Sequence, residues 1–409
     1  MKIAVVLSHS LMGSPGTTVR VRELGLSIQR MGVQIELLSP YIDKGHAWGF
    51  IETIPLSDVE QPFLREILYN ITRYAYYAHW FFHDFYSNKL IREITSNNLA
   101  QKIIRTYKKR IPPDIILAVC PPDINISVCL KVARELHIPV VVDLQNVANE
   151  ELITSGVLAH NSKTFSKLQS LTTRMLATVD HIFVVSDLMK EYVHNEFKIS
   201  LDRISVIPPG GRLRPRSTKF INPSVIYSGL LAKREHVDLF IKSMPIIKKR
   251  KPETRFFLSK IGEEYTNLRK MARKFDVFPT FFWYPNEQDF YQFLSSCHVA
   301  VLPSTNDLPR KMGTPLKLFD YMSVGLPVVT NDIGSWSTIV SREKIGLVTE
   351  DDPKSFAHAI IGLLNDPILA TSFGERGREL VKTKYSWDNS GEKLFEILKR
   401  VKNDYSSKQ

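Results

Sequence analysis

Short, wholly apolar runs alternate along this chain with longer segments whose apolar residues recur every three or four positions. The first pattern predicts buried parallel strands and the second amphipathic helices. In the N-terminal half the strands fall at residues 2–7, 33–38, 114–120, 140–144, 181–185 and 204–207. A helix is predicted from about residue 18 to 30, with Val21, Leu24 and Ile28 on one face and Gly32 past its end. Further helices are predicted at 124–136 and 187–197, and residues 150–177 read as mostly helical. In the C-terminal half strands are predicted at 225–228, 255–260, 281–283, 299–302, 327–330 and 346–349, separated by helices. Strand–helix alternation of this kind builds parallel α/β layers.

Two stretches break the rhythm. Residues 208–223 carry Pro208-Pro209-Gly210-Gly211 and a basic Arg212-Leu213-Arg214-Pro215-Arg216 run, a turn-rich composition unlike a core element. They divide the chain into a domain at 1–211, a linker at 212–223 and a domain at 224–386. An amphipathic basic helix over 387–403 opens a C-terminal segment, 387–409, expected to pack back toward the first domain. Residues 61–110 read as a helical insertion with eleven aromatic residues, nine Lys/Arg and three Asp/Glu. Rings among cations suit a membrane interface, so residues 63–110 are a candidate membrane-facing surface; core packing of the insertion is the competing reading.

The densest chemical signal is at 313–329. Gly313-Thr314-Pro315 leads into a helix with Pro315 expected at its first position, and Leu316, Phe319 and Met322 share its apolar face. Gly325 supplies a left-handed stop, and Pro327-Val328-Val329 begins a strand. A helix start offers free N–H groups and a positive dipole end to a phosphate. Lys317 adds a full charge, and Asp320, one turn on, is placed to accept hydrogen bonds from sugar hydroxyls. The combination points to a nucleoside diphosphate.

This segment resembles the nucleotide-sugar signature of the retaining GT-B glycosyltransferases of family 4, in which a Pro-Leu-Lys-Leu-Phe-Glu-Tyr-Met run precedes Gly-x-Pro-Val-Val. Cys120-Pro121-Pro122, Ile138-Pro139-Val140, Val184-Val185-Ser186, Ile204-Ser205-Val206-Ile207-Pro208, Tyr227-Ser228-Gly229, Val301-Leu302-Pro303-Ser304 and Tyr385-Ser386-Trp387 extend the resemblance over nearly the whole chain. It implies an α/β GT-B fold, two Rossmann-like domains facing across a cleft. It also implies a retaining, metal-independent enzyme of hexosyltransferase type, moving sugar from a UDP-sugar or GDP-sugar to a glycan or lipid-linked acceptor, without a separate cofactor. The residues carried over are Lys317 and Asp320 as catalytic groups, with Gly13, Gly16, Lys233, Arg234, Gly313, Thr314, Pro315 and Leu316 beside them as donor contacts. Arg20, Asp143, Asn146 and Glu150 would lie toward the acceptor or cleft.

Several positions depart from that family. Met312 stands where the first of two acidic residues eight apart is usual, and Asp320 is a shortened second. Leu230 and Glu235 stand where an Arg and a Lys usually bind the donor pyrophosphate, while Lys233 and Arg234 lie out of register. Gln145 and Asn146 replace an Arg and an Asp. Arg310 and Lys311, in a polar stretch before the signature, are candidate replacement cations. An inactive GT-B relative, acting as a nucleotide-binding or partner subunit, is the alternative reading. A sugar-nucleotide epimerase is a lesser one.

Composition narrows the remaining choices. The 409 residues are 44% hydrophobic and 23% charged, as in folded globular proteins. No apolar run nears the roughly 18–20 residues that cross a bilayer. Cys120, Cys129 and Cys297 form no metal or disulfide pattern and suit a reducing cytoplasm, so a cytoplasmic protein, peripheral on the inner membrane face, is expected. The net charge of +12 favours anionic partners. No nucleic-acid-binding signature accompanies it. Glu350-Asp351-Asp352 follows a strand and reads as a turn, so no metal site is expected.

Overall fold

The computed structural model describes residues 1–7, 15–39, 52–55 and 89–407. It divides into two compact units, Met1–Pro208 with Ser390–Gln409, and Pro209–Asn389.

The first unit carries β1 (Lys2–Val6), α1 (Pro15–Gln29), β2 (Gln34–Ser39), β3 (Glu52–Pro55), α2 (Lys89–Tyr107), β4 (Ile115–Cys120), α3 (Ile124–Leu136), β5 (Val140–Leu144), α4 (Ala148–Thr154), α5 (Lys163–Thr178), β6 (His181–Val184), α6 (Asp187–Phe197) and β7 (Ile204–Val206). Its parallel sheet has the order β3-β2-β1-β4-β5-β6-β7. The second unit carries β8 (Ser224–Tyr227), α7 (Val237–Arg250), β9 (Arg255–Ser259), α8 (Tyr265–Lys274), β10 (Thr280–Phe282), α9 (Glu287–Ser296), β11 (Val299–Val301), α10 (Leu308–Met312), α11 (Leu316–Val324), β12 (Val328–Asn331), α12 (Ser335–Arg342), β13 (Gly346–Thr349), α13 (Pro353–Asn365) and α14 (Pro367–Thr383). Its sheet order is β10-β9-β8-β11-β12-β13, again all parallel. Both orders reverse direction once, between β1 and β4 and between β8 and β11. In open parallel sheets ligands bind beyond the carboxyl ends of the strands at such a reversal.

The second sheet is apolar on both faces because successive residues feed opposite cores. Val225, Tyr227, Phe256, Leu258, Val299 and Val301 pack on one side with Phe240 and Phe356. Ile226, Phe257, Ala300 and Leu302 pack on the other with Phe319, Met322 and Trp336. Gly325 ends α11 at φ 77°, where a side chain would be strained, and its N–H donates back to Met322 O.

The last helix, α15 (Trp387–Ser406), starts in the second unit and continues into the first. There Leu394 and Leu398 share an apolar cavity of about 40 Å³ with Val21, Leu24 and Ile28 of α1. Lys402 pairs with Asp114 at 2.8 Å.

Several elements differ from the sequence expectation. The stretch 150–177 is two helices, because Gly156 turns at φ 74° and Ser162 caps a fresh start by accepting from Phe165 N–H. The short β3 ends in Pro55, a residue suited to a sheet edge. The polar stretch before the signature holds a helix: Asp307 accepts from Arg310 N–H and begins the one-turn α10, with Pro309 in its first turn. Pro315 is extended at ψ 135°, so it caps α11 and Leu316 is the first helical residue. The proposed aromatic surface before residue 89 lies outside the described residues.

Candidate functional site: a cation cluster at the edge of the second sheet

β8 ends at Tyr227, and Ser228-Gly229 carries the chain past the sheet into a 3-10 turn at Lys233–Glu235. Glu235 is buried there. Lys317 Nζ lies 2.5 Å from its Oε2 and Arg310 Nη2 lies 3.3 Å from the same oxygen. Arg234 Nε is 3.7 Å from Oε1, and the Tyr227 hydroxyl donates to Oε2 at 3.2 Å. Burial alone would raise the Glu235 pKa. Arg310, Lys317 and Arg234 together hold it well below the usual carboxylate range, so the group stays ionised. Burial lowers the Lys317 pKa against the pull of Glu235.

Each cation is held from a different element. Lys317, in the first turn of α11, donates to the Tyr227 hydroxyl at 3.0 Å and lies 4.7 Å from the centre of its ring. Arg310, on α10, donates from Nε to Ser304 Oγ at 2.7 Å and stacks 5.2 Å from the Trp336 ring. Ser304 follows β11 and donates its hydroxyl to Arg234 O, joining the 3-10 turn to the same strand end. The cluster thus sits at the carboxyl ends of β8 and β11, where the second sheet reverses.

Asp320 turns away from these cations. It accepts from the Tyr291 hydroxyl at 2.6 Å, and Arg214 stacks 4.1 Å over the Tyr291 ring. Burial pushes its carboxyl up to about 6, against the opposing Tyr291 hydrogen bond and the Arg214 charge. Gly313, Thr314 and Pro315 form the half-buried connection between α10 and α11, and Leu316 opens α11. Met312 is buried and Leu230 partly exposed. Lys233 is exposed and lines a different recess with Val237 and Asn267, so the structure does not bring it to Lys317.

In the first unit Gly13 lies outside the described residues. Gly16 sits in the first turn of α1, because the helix starts earlier than the predicted residue 18, at Pro15, a residue preformed for that position. Arg20 and Asp143 face each other as a buried pair, Nη2 to Oδ1 at 2.8 Å and Nε to Oδ2 at 3.0 Å. Gln145 donates to the same carboxylate at 2.8 Å. Asn146 bonds Glu151 and the Val147 N–H. Glu150 is buried and accepts from the Tyr192 hydroxyl at 2.8 Å.

Sequence reasoning singled out Lys317 and Asp320 but not their partners Tyr227 and Tyr291, nor Trp336 beside Arg310. It also took Glu235 only as a lost cation. The sign and spacing of Lys233-Arg234-Glu235 hold no hint that the acid, not the lysine, would turn inward.

Comparison with known proteins extends this picture. Residues 15–211 match the family model described as Glycosyltransferase Family 4, and residues 216–380 match Glycosyl transferases group 1. A GDP-mannose-dependent monoacylated alpha-(1-6)-phosphatidylinositol monomannoside mannosyltransferase of Corynebacterium glutamicum is 26% identical over 182 residues, covering 43% of this chain and 47% of that protein. An alpha-D-kanosaminyltransferase of Streptomyces kanamyceticus is 23% identical over 222 residues, covering 53% and 56%. The chain spans about half the length of the curated relatives it matches. Among solved structures, sucrose-phosphate synthase of Thermosynechococcus elongatus superposes with a TM-score of 0.72 at 17% identity, covering 98% of this chain and 99% of that one. Anabaena HepE in complex with UDP-glucose gives 0.69 at 13% identity, covering 98% and 100%. At these identities the likeness shows the fold.

Proposed function

Since the chain belongs to the group 1, family 4-like glycosyltransferases of the GT-B fold, we propose that it transfers a hexosyl group from a nucleoside diphosphate sugar to a glycan or lipid-linked acceptor. The observation that carries this reading is the convergence of Arg234, Arg310 and Lys317 at the carboxyl edge of β8 and β11, beside the first turn of α11. When the bond between the anomeric carbon and the diphosphate breaks, negative charge collects on the departing phosphate. Fixed cations in a half-buried site stabilise that charge better than water does. Leu316 and Lys317, in the first turn of α11, would offer backbone N–H groups to the same diphosphate, and the Asp320 carboxylate would accept from the ribose hydroxyls. The donor is therefore assigned to the second unit.

Retention of configuration and independence of a metal rest on the family resemblance. The acceptor is assigned to the first unit, where the Arg20 guanidinium keeps Nη1 without a hydrogen-bond partner while Nε and Nη2 engage Asp143. Phosphatidylinositol-based acceptors in the names of several relatives support a lipid-linked acceptor and work at the cytoplasmic membrane face. GDP-mannose in those names and UDP-glucose in the HepE complex make both bases worth testing.

Thermal stabilisation of the full chain by UDP-, GDP- and ADP-sugars tests the reading. One base should stabilise selectively, Asp320→Ala should abolish the shift, and the wild-type shift should shrink as pH falls through about 6, where Asp320 takes up a proton. No shift with any sugar nucleotide would favour a relative that transfers nothing and serves a partner.

A further inference from the structure

Three cations surround one buried carboxylate at the edge of the second sheet, and two of them share a single oxygen. Lys317 Nζ and Arg310 Nη2 both approach Glu235 Oε2. Among the described residues Glu235 is the one carboxylate that both Arg310 and Lys317 contact, so this pair keeps surplus positive charge in a half-buried place, which attracts a polyvalent anion. The Arg310 guanidinium is unusually fixed for a side chain on a one-turn helix. Ser304 Oγ holds Nε, Trp336 lies under its plane, and Glu235 holds Nη2. A guanidinium oriented on three sides is prepared to grip phosphate oxygens.

We infer that Arg310 binds the diphosphate of the donor, and that Glu235 is a positioning residue holding Arg310 and Lys317 side by side for it. This inference rests on the sugar-nucleotide reading of the site.

Glu235 has a second effect. Among the described residues the charged and titratable groups facing Lys317 are Glu235 and Arg234 from the 3-10 turn, Arg310 from α10 and Tyr227 from β8, while Asp320 of its own helix turns to Tyr291. Among the described residues Glu235 is the carboxylate in contact with Lys317, and its charge opposes the downward pull of burial on the ammonium's pKa. Without it, two guanidiniums and burial all act to discharge Lys317.

The experiment is titration calorimetry of the full chain with UDP, UMP, GDP and GMP, from pH 7 to 9. Wild type should prefer the diphosphate of one base. Arg310→Gln should lose about tenfold to a hundredfold in diphosphate affinity, the scale of one charge-assisted hydrogen bond, while monophosphate binding holds and reports an intact fold. Arg310→Lys, which keeps the charge, should recover part of the preference. Glu235→Gln should make diphosphate binding fall away at lower pH than in wild type, because Lys317 then discharges sooner, and Glu235→Asp should restore the wild-type profile. Full diphosphate preference in both Arg310 variants, or a Glu235→Gln profile parallel to wild type, overturns the inference and leaves the sugar-nucleotide reading standing. Wild type binding none of the four nucleotides overturns both.

Discussion

Gly229 is the residue at which space itself is functional. A Cβ built there would meet Lys317 Nζ at 2.6 Å and Cε at 2.8 Å, so only a residue without a side chain lets the ammonium lie against the end of β8. The obstructing atoms belong to side chains, Lys317 and the Tyr227 hydroxyl at 3.0 Å, and the backbone itself stands at φ 159°, where a side chain is strained. Gly229→Ala should therefore cost about 1–3 kcal/mol of stability while turning Lys317 away from Glu235 and weakening sugar-nucleotide binding about tenfold or more. Parallel denaturation and calorimetry of the variant check this; a large loss of stability with normal binding would count against it. Much at this scale was written in the sequence. Lys317 is recognisable because it follows a proline-led helix start, and Gly325 because a helix must end somewhere before a strand. The orientation of Glu235 was not, because its partners lie on other elements, distant in sequence, and only packing decides which of three adjacent charged residues turns inward.

At the scale of elements, the strands were legible wherever both faces are buried, since continuous apolar runs have no other stable use. The elements missed are those made by single residues: the one-turn α10 exists because Asp307 caps it, and β3 is a short edge strand. One joint between elements responds to pH. His236 ends the 3-10 turn at φ 51° and begins α7, with Nδ1 2.8 Å from Asp238 and Nε2 2.9 Å from Asp351, which Asn331 also contacts at 3.2 Å. The hydrogen bond to Asp238 raises the His236 pKa above its ordinary value, outweighing burial. A pKa raised by folding stabilises the folded state while the histidine is protonated in both forms. That stability is full below about 6.5, the usual value of an unfolded histidine, and is lost as pH rises through the higher folded value. Urea midpoints of wild type should thus decline from pH 6 to pH 8.5. His236→Asn, which tolerates the left-handed backbone, should show a flatter profile.

At the scale of the molecule, each unit reverses its strand order once, and the charge cluster sits where the second one does so. The division of the chain was hinted at by the proline–glycine stretch, but the path of its final helix depends on tertiary contacts. Leu394, Leu398 and Val401 of α15 are buried in the first unit, and Gly391 lies so close to Ser27 of α1 that a Cβ would clash. A chain ending at Asn389 should lose about 1.5–3 kcal/mol for each large apolar side chain removed from that interface. Hydrogen exchange should show β1, α1 and β4 losing protection while β8 to β13 keep theirs. Equal loss in both units would contradict the division.

The passage of α15 from one unit to the other has a consequence for birth on the ribosome. The segment 209–389 is continuous, so it can reach its final form as soon as it has emerged. The first unit begins earlier but lacks α15 until synthesis has passed Ser390. The portion translated first is therefore completed last, and in the interval Val21, Leu24 and Ile28 of α1 await their covering. Nascent chains stalled at increasing lengths would show that inverted schedule directly, as late protease resistance of the earlier-made half.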